Sequence, residues 1–475
     1  MLENWWAWAS LAEALWVIGA AVWIVGERRS PNATLAWLFA LALFPVLGII
    51  FYYVFGPRKL TRKKQRRDDA QRKVAAMAPT VGPAAQDLPW VAQGISEMCE
   101  RAVGGPSAIR RSADVEAYLG GRETYAAIAG AVASAQHHIH MEYYIWEADG
   151  IGTRIRDQLA ARAADGIEVR VLLDAIGGNN ADKKFWKPLL DAGGEVCWFN
   201  PIRLSILGRQ IANFRTHRKI VVVDGRVGFT GGVNISDVQT TEFSGDAAWR
   251  DTHVRIEGPA VHGLQLVFCE GWYDARQSAP EGRNYFPSWD KEGAHAVQVV
   301  ASGPDKLQKP IRKLFISAIS SARERVFLTS PYFVPDEALL VALSTAVLRG
   351  ADVRVLVPKK NDVPLVGAAC RSYYPDLFAA GIRVFEYDAS MLHAKTLVVD
   401  NLVAIVGTAN ADARSFKLHF EVVLATYEPQ ACERLAEVFL SDLHSATEAS
   451  PATVANYGRV RRFGHNVCRL FSPLL

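Results

Sequence analysis

The sequence has little cysteine and lacks the paired cysteines of common metal sites. Its six cysteines are scattered over 475 residues, and no two of them form a CxxC pair. Zinc sites of the usual structural kind take ligands from such closely spaced pairs, so the spacing argues against zinc. A disulfide framework is not expected either, because the charges described below place most of the chain in the cytoplasm. The six are Cys99, Cys197, Cys269, Cys370, Cys432 and Cys468.

Positive charge is absent from the first 27 residues. A signal peptide needs a basic segment ahead of a shorter apolar stretch, so a cleaved signal is disfavoured. Instead, two runs of 21 residues, Trp5–Val25 and Leu35–Phe55, contain a single charged residue, Glu13. At helical rise such a run covers about 31 Å, enough to cross a bilayer. The sequence predicts a two-helix transmembrane hairpin over residues 1–57, with buried core helices as the alternative.

Aromatic residues lie near the outer ends of this predicted hairpin and are typical of membrane interfaces. Because the loop Glu27–Thr34 is short, we expect both aromatic groups at the same membrane face. The residues concerned are Trp5, Trp6 and Trp8 in the first run, and Tyr52 and Tyr53 in the second.

The basic charge is concentrated just after the second run. Residues 58–73 carry nine basic and two acidic side chains, or +7, against +4 for the whole chain, which leaves 4 − 7 = −3 for the rest. By the positive-inside rule the larger part is cytoplasmic, which predicts a membrane protein with two spans. Two loop arginines, Arg28 and Arg29, oppose this orientation weakly.

The basic cluster at residues 58–73 favours contact with an anionic membrane surface, with a solvated flank as the alternative. Because the rest of the chain is nearly neutral, a nucleic-acid partner is disfavoured. Residues 58–107 are predicted to be this flank and a linker, which includes the Pro/Ala/Gly-rich stretch Ala75–Pro89.

The rest of the chain reads as a tandem duplication of an α/β unit. Short apolar runs such as 139–146, 169–173, 196–199 and 220–223 alternate with helical segments such as 152–164, which is typical of sheets flanked by helices. His217–Asn234 aligns with His393–Asn410, with eight of eighteen positions identical. We therefore predict two pseudo-twofold-related domains, 108–290 and 291–450, followed by a tail over 451–475.

The identical core of the two repeats is His-x-Lys-x4-Asp followed by Gly-x-x-Asn at the same offset. One such match is weak, but two at equivalent places in a duplication are a strong signal. The repeated polar residues are His217, Lys219, Asp224 and Asn234 in the first half, and His393, Lys395, Asp400 and Asn410 in the second.

This pattern suits phosphodiester chemistry. A histidine and a lysine two residues apart at the start of a strand leave the same face of the sheet, and a pseudo-dyad would bring both sets to one pocket. Lysine and asparagine can stabilise negative charge on phosphate oxygens, while one histidine attacks phosphorus and the other protonates the leaving alkoxide. No metal ligands accompany them at suitable spacing, so neither a metal nor a cofactor is expected.

The paired motif resembles that of the phospholipase D superfamily, in which the reaction runs through a phosphohistidine. Further stretches resemble the bacterial cardiolipin synthase branch, and the likeness covers nearly the whole chain. These stretches are His138–Trp146, Trp249–Thr252, Thr329–Pro335, Arg414–Phe416, the N-terminal hairpin and the ending Ser472–Leu475.

The resemblance implies a location in the bacterial inner membrane, and it implies roles for four acidic residues. Asp251 and Glu421 would each accept a hydrogen bond from a catalytic histidine, and Asp224 and Asp400 would be structural, pairing with basic groups. The chain departs from the branch at His419, where asparagine is usual.

Several other residues carry open alternatives. Glu142 and Tyr144 align with Ser330 and Tyr332 and are candidates for headgroup contacts or plain packing. His137, His138 and His140 favour a capped strand edge over a metal site. The loop Arg203–Arg215 mixes basic and apolar residues and favours a lipid-facing lip over a buried connection.

The tail also allows two structures. Val460, Phe463, Val467, Leu470 and Phe471 recur at helical spacing, which predicts either a membrane-surface helix or a helix docked on the catalytic part.

The resemblance and the motifs together predict phosphatidyl transfer between two phosphatidylglycerol molecules, giving cardiolipin and glycerol. His217 is the predicted nucleophile and His393 the acid and base, although the near-symmetry allows the reverse. A phospholipase D-type hydrolase, another phosphatidyltransferase, a nuclease of the superfamily and a non-enzymatic lipid-binding scaffold are the alternatives. Whether the chain forms a homo-oligomer is left open.

Overall fold

The computed structural model describes residues 5–26, 31–44, 47–48, 52, 73–74, 87–105, 107–112, 114–201, 214–278, 284–289 and 293–475. The described residues belong to two compact units, an N-terminal unit with the described residues up to 52 and a larger unit with those from 73 to 201 and from 214 to 475. The predicted basic flank, apart from Lys73, and residues 75–86 of the predicted linker lie outside the described residues.

The described part of the N-terminal unit includes helices α1 (Trp5–Gly26) and α2 (Pro31–Leu43). Helix α2 begins four residues before the predicted run, with a proline in its first turn, where its fixed φ angle suits a helix start. The part of the second run beyond residue 44 is described only at 47–48 and 52. None of the helices in the described part of the chain has the length and apolar character needed to cross a membrane.

Tyr52 is not where the hairpin prediction put it. Its ring packs 5.2 Å from that of Trp23 and 5.0 Å from that of Trp37, and only 1% of the residue is exposed. Trp23 lies three residues from the end of α1, so Tyr52 lies at the loop end of the pair and not beside Trp8. The expectation that both aromatic groups mark one membrane face is therefore wrong for Tyr52.

The larger unit is built on two sheets of equivalent topology. The first has the strand order β2-β8-β7-β6-β3-β4-β5 and the second contains β9-β17-β15-β14-β10-β12-β13 in the matching order. The strands of the first sheet are β2 (Asp114–Tyr118), β3 (His138–Tyr143), β4 (Glu168–Asp174), β5 (Glu195–Phe199), β6 (Lys219–Val223), β7 (Val227–Gly231) and β8 (His253–Glu257). Those of the second are β1 (Arg110–Ser112), β9 (His295–Ser302), β10 (Arg325–Thr329), β12 (Asp352–Pro358), β13 (Arg383–Tyr387), β14 (Thr396–Val399), β15 (Val403–Gly407), β17 (Glu421–Thr426) and β18 (Ala446–Ala449). A separate pair joins β11 (Phe333–Val334) to β16 (Ala411–Asp412).

Helices cover the sheets and connect the strands. They are α3 (Trp90–Val103), α4 (Gly121–Ala133), α5 (Gly150–Ala164), α6 (Lys187–Asp191), α7 (Thr241–Ser244), α8 (Val261–Arg276), α9 (Pro310–Ser320), α10 (Glu337–Leu348), α11 (Pro364–Ser372), α12 (Tyr374–Ala379), α13 (Ala413–Lys417), α14 (Pro429–Asp442), α15 (Pro451–Ala455) and α16 (Arg459–Arg469). Equivalent aspartates cap the N-termini of α5 in the first half and α10 in the second. Asp149 accepts a hydrogen bond from Gly152 N at 2.9 Å, and Asp336 accepts one from Leu339 N at 3.1 Å. The prediction of duplicated α/β domains with helix-flanked sheets is confirmed.

The boundary between flank and first half differs from the prediction. Helix α3, placed by the prediction in the flank and linker, packs its apolar face into the core of the second half. Strand β1, which lies within the predicted first domain, pairs antiparallel with β9 of the second sheet. The first half therefore begins at β2, and the segment before it completes the second half.

The two halves meet through an apolar layer and through short backbone bridges. The layer joins side chains from both sheets, including Val222, Ile256, Val299 and Leu424. Isolated parallel bridges connect Thr216 with Phe420 and Arg250 with Leu392. Because each bridge lies just ahead of a motif histidine, the same contacts that join the halves also position the site.

Candidate active site

Each motif histidine is fixed by the backbone of the other half. The amide of His217 donates to the carbonyl of Phe420 at 2.9 Å, and the amide of His393 donates to that of Arg250 at 2.7 Å. Both histidines are almost fully buried. The repeated arrangement places the two imidazoles at the junction of the halves.

The acidic partners cross over in the same way. His217 Nδ1 lies 3.1 Å from the carboxylate of Glu421, and His393 Nδ1 lies 2.6 Å from Oδ2 of Asp251. With Nδ1 of each ring bound to a carboxylate, Nε2 is the nitrogen left for a reacting group. Each half thus supplies one histidine and the carboxylate that orients the other.

The two crossed pairs differ at one position of the Gly-x-x-Asn motif. In the second half Thr408 Oγ1 donates to Glu421, and the Thr408 carbonyl lies 3.1 Å from His217 Nδ1. The first half has Gly232 at this position, where a Cβ atom would lie 2.0 Å from Oδ1 of Asp251. Glycine therefore leaves room for Asp251, whereas threonine adds a second polar group beside Glu421.

An aromatic ring lies beside each histidine at equivalent positions, two residues before the carboxylate. Trp249 lies 5.1 Å from the ring of His393, and His419 lies 5.7 Å from the ring of His217. Tyr144 also packs against His217, with ring centres 4.9 Å apart. His419, the departure from the family pattern, is thus the counterpart of a tryptophan.

His419 is held by an arginine that reaches the chain end. Arg414 Nε lies 3.2 Å from His419 Nε2, and its Nη1 donates to the carbonyl of Leu474 at 2.8 Å. The backbone amide of Arg414 donates to Leu475 at 3.1 Å. Burial and the nearby His217 lower the pKa of His419 well below its usual value, so the ring is neutral.

The two motif lysines are buried, and the pKa of each ammonium group is lowered. Burial lowers the pKa of Lys219 to about 7, with Lys395 adding repulsion, and burial lowers the pKa of Lys395 to about 8. Each Nζ donates to the carbonyl of its own motif histidine. An arriving phosphate would favour the charged form of both.

The two histidine–carboxylate pairs differ in their pKa shifts. Burial, followed by repulsion from both lysines, lowers the pKa of His217 well below its usual value. The pKa of His393 is lowered by burial and by Lys395, but Asp251 opposes this shift. Burial also acts to raise the pKa of Asp251, yet attraction to His393 and Lys395 brings it below the usual range, whereas burial raises the pKa of Glu421. His393 is therefore paired with the more firmly ionised carboxylate.

The two motif asparagines are buried, and the Oδ1 atoms of Asn234 and Asn410 accept no hydrogen bond from the described residues. Backbone contacts hold both, with Asn410 N donating to Ser415 Oγ at 3.1 Å and the Asn234 carbonyl accepting from Tyr125 at 2.5 Å. Their side-chain amides thus remain available to a ligand.

The motif aspartates lie away from the histidines, at the far end of β6 and β14. Asp224 accepts the backbone amides of residues 136–138 at 2.8 to 2.9 Å, and Asp400 accepts those of residues 323–325 at the same distances. Both have positive φ angles, 54° and 49°. They pair with backbone amides and not with the basic groups that the resemblance implied.

Of the four headgroup candidates, two are used internally. Glu142 is fully buried and accepts a 2.5 Å hydrogen bond from Thr216, and Ser330 Oγ accepts the amide of Ala411 at 3.0 Å. Tyr144 lies over His217, while Tyr332 is half-buried and donates to Asp362 at 2.8 Å. Tyr144 and Tyr332 remain the candidates for substrate contact.

His138 and His140 form a buried network through Gln265. His138 Nε2 lies 3.1 Å from Gln265 Oε1, and Gln265 Nε2 lies 2.8 Å from His140 Nδ1. The second nitrogen of His140 bonds Glu168 at 3.2 Å. These contacts bind β3 to α8.

Arg215 is not part of a lipid-facing lip. It is 2% exposed, bonds the carbonyl of Asn200 at 2.6 Å and lies 3.4 Å from Asp174. Residues 203–213 of the predicted lip lie outside the described residues.

One group in the described chain has the ligand types of a metal site. Nitrogen and oxygen atoms of His217, His419 and Glu421 lie within 4.8 Å of one another. Of these groups, His217 Nδ1 and Glu421 Oε2 are hydrogen-bonded at 3.1 Å, whereas Glu421 Oε1 lies 3.8 Å from His419 Nδ1.

The sequence did not indicate that Thr408 and Arg414 are parts of the site. It also did not indicate that Trp249 packs beside His393. Thr408 could have been found, because it replaces the second glycine of the first motif within an otherwise aligned repeat. The bond from Arg414 to the chain end has no local signal in the sequence.

Two duplicated domains with paired histidines, lysines and asparagines at their junction define an enzyme of the phospholipase D class. A family model described as "Cardiolipin synthase, PLD-like domain" matches residues 128–255 and 315–443, and one described as "Phospholipase_D-nuclease N-terminal" matches residues 14–57. The chain therefore belongs to the cardiolipin synthase family, which consists of phosphatidyltransferases.

Similar proteins cover nearly the whole chain. Cardiolipin synthase 1 of Bacillus cereus is 36% identical over 97% of this chain and 93% of its own length. Cardiolipin synthase of Alkalihalophilus pseudofirmus is 37% identical over 98% and 93%. Among solved structures, phosphatidylserine synthase of Haemophilus influenzae superposes with a TM-score of 0.61 at 16% identity, covering 80% of this chain and all of that one, and so shares the fold.

Proposed function

We propose that this chain transfers a phosphatidyl group from one phosphatidylglycerol to another, giving cardiolipin and glycerol through a phosphohistidine. The observation that carries the proposal is the crossed arrangement, in which each imidazole has Nδ1 on a carboxylate of the other half. Such a pair supplies one nucleophile and one proton carrier at a single phosphorus.

In the first step His217 Nε2 attacks phosphorus with its lone pair. The bond from phosphorus to the glycerol oxygen breaks, and His393 gives its Nε2 proton to that oxygen. In the second step neutral His393 takes the proton from a hydroxyl of the second phosphatidylglycerol. The resulting oxygen attacks phosphorus, the phosphorus–nitrogen bond breaks, and its electron pair returns to His217.

The charge states favour this assignment over the reverse one. A nucleophile must be neutral, and the pKa of His217 is held well below its usual value by burial and the lysines. A general acid must hold a proton, and although burial lowers the pKa of His393 as well, the ionised Asp251 at 2.6 Å opposes that shift and stabilises its imidazolium. We therefore assign attack to His217 and proton transfer to His393.

The lysines and asparagines stabilise the charge that develops on the phosphate oxygens. Lys219 and Lys395 are buried donors already fixed by their own backbone contacts, so little reorganisation is needed when charge develops. Asn234 and Asn410 supply the amide groups of the same pocket.

The N-terminal unit is proposed to anchor the enzyme as two spans in the bacterial inner membrane, with the larger unit in the cytoplasm. Support comes from the two apolar runs, the basic residues 58–73 and the family match over residues 14–57. The anionic substrate and product would then be found in the same bilayer.

The deciding experiment uses the purified full chain in phosphatidylglycerol vesicles with chelator present, with the lipid products resolved by mass. Cardiolipin and free glycerol in equal amounts are expected. Phosphatidic acid as the main product would assign the chain to hydrolysis, and a chelator-sensitive activity restored only by a divalent ion would contradict the metal-free mechanism.

A further inference from the structure

The tail helix α16 is docked by one face. Cys468 packs against the core of the second half, and His465 is buried with its ring 5.1 Å from that of Tyr457. Arg469 pairs with Asp376 at 2.8 Å and lies 4.2 Å above the ring of Tyr373. The expected alternative in which the tail packs on the catalytic part is therefore right for this face.

The opposite face is apolar and uncovered. At 100° per residue, the apolar side chains lie within about 100° of one another and face away from the docked residues. Their exposed fractions are high for such large side chains: Val460 86%, Phe463 70%, Val467 37%, Leu470 77% and Phe471 45%. These five residues are called the tail stripe below.

The charge beside the tail stripe is of one sign. Residues 459–469 contain four arginines and no acidic residue. Arg459 and Arg462 are exposed and flank the stripe, while Arg461 is exposed and lies 4.5 Å from the ring of Tyr457. An apolar face bordered by arginines complements an anionic bilayer surface, with apolar side chains among the acyl chains and guanidinium groups at the phosphates.

The tail stripe is connected to the catalytic pocket through the residues that follow it. Beyond α16, the carbonyls of Leu474 and Leu475 bind Arg414, which bonds His419 beside His217. Tyr373 OH also donates to Ser472 at 2.9 Å. A surface held in this way is fixed relative to the site that receives the lipid.

We propose that the tail stripe is a second membrane-docking surface, which lies on anionic lipid beside the catalytic pocket. It adds to the anchoring proposed for the N-terminal unit and rests on the proposed function only in the choice of lipid as partner. The alternative occupant is the tail stripe of a second copy of this chain.

The test places a nitroxide on the full chain through Phe463→Cys and measures its relaxation by oxygen, which enters bilayers, and by a water-soluble nickel chelate. Leu348→Cys is the matched control, because Leu348 is 87% exposed at the end of α10 and lies outside the tail stripe. The unsubstituted chain, whose six native cysteines are buried or half-buried, gives the background. The protein is reconstituted in vesicles of phosphatidylglycerol and phosphatidylcholine.

At position 463 oxygen should relax the label several-fold more than the nickel chelate does, and position 348 should show the reverse. In phosphatidylcholine alone the difference at 463 should shrink, because the arginines lose their anionic partners. A water-like profile at 463 in the anionic vesicles, or dipolar broadening between labels of neighbouring chains, would overturn the proposal. The readout is depth and not turnover, so it can fail while the proposed reaction stands.

Discussion

The two halves of the catalytic unit share strand order and motif, but the surroundings of their histidines differ. His393 has one close acidic partner, Asp251 at 2.6 Å, and Gly232 makes room for it. His217 lies 3.1 Å from Glu421, whose carboxylate also accepts a hydrogen bond from Thr408. The duplication therefore supplied two similar imidazoles, and a few substitutions around them make one suited to carrying a proton and the other to attack.

The largest effect should follow loss of either imidazole. His217→Ala and His393→Ala should each lower turnover by at least about 10³-fold, because one removes the nucleophile and the other the proton carrier. The melting temperature should change little, since neither ring belongs to an apolar core.

The two variants separate the roles when the phosphoenzyme is trapped with labelled phosphatidylglycerol. His393→Ala should accumulate an adduct on His217, because the second lipid is no longer activated. An adduct mapped to His393 in the other variant would reverse the assignment of the halves.

A second comparison sets the carboxylates against each other. Asp251→Asn should lower kcat by about 100-fold, because His393 loses the charge that stabilises its imidazolium. Glu421→Gln should cost about 10-fold, since the carbonyl of Thr408 still accepts from His217 Nδ1. Equal losses measured in steady-state assays would mean that the halves are not differentiated by charge.

The glycine and threonine of the motifs provide a steric version of the same comparison. Gly232→Ala would place Cβ 2.0 Å from Asp251 and should reduce kcat nearly as much as Asp251→Asn does. Thr408→Val keeps the shape but removes the hydroxyl donor to Glu421, and a loss of only a few-fold is expected. Circular dichroism melts should accompany both, because a Gly232→Ala protein that fails to fold would not test the geometry.

Much of this could be predicted from the sequence, because identical residues at identical spacing survive in both halves. The two motifs identified the histidines and lysines of the site, and the four apolar runs predicted strands β3 to β6. The expected pairing of Asp224 and Asp400 with basic groups was wrong, because their position in the motif does not show that they bind the backbone amides at the start of β3 and β10.

What escaped prediction depends on contacts between distant segments. Which carboxylate serves which histidine follows from the bridges Thr216–Phe420 and Arg250–Leu392, and no local pattern encodes them. Strand β1 has three residues and no alternation of apolar and polar side chains, so its place in the second sheet could not be predicted from the sequence. The tail was left between two alternatives because one helix carries both a docked face and an exposed one.

The smallest expected effect is a shift in pH dependence that distinguishes the two lysines. Burial lowers the pKa of Lys219 to about 7 and that of Lys395 to about 8, so each loses its positive charge as the pH rises through these values. If both ammonium groups are required, kcat/KM should be highest below pH 7, where both lysines are charged. It should decline above pH 7, first because Lys219 loses its charge.

Lys219→Arg keeps the charge at all these pH values and should move the alkaline limb upward by about one pH unit, to the value set by Lys395. Lys395→Arg should leave the limb near pH 7, where Lys219 still controls it. Absolute rates will fall in both variants because a planar guanidinium does not replace a point charge, so the comparison rests on the position of the limb. An alkaline limb that moves equally in both variants, or in neither, would show that the lysines do not differ between the halves.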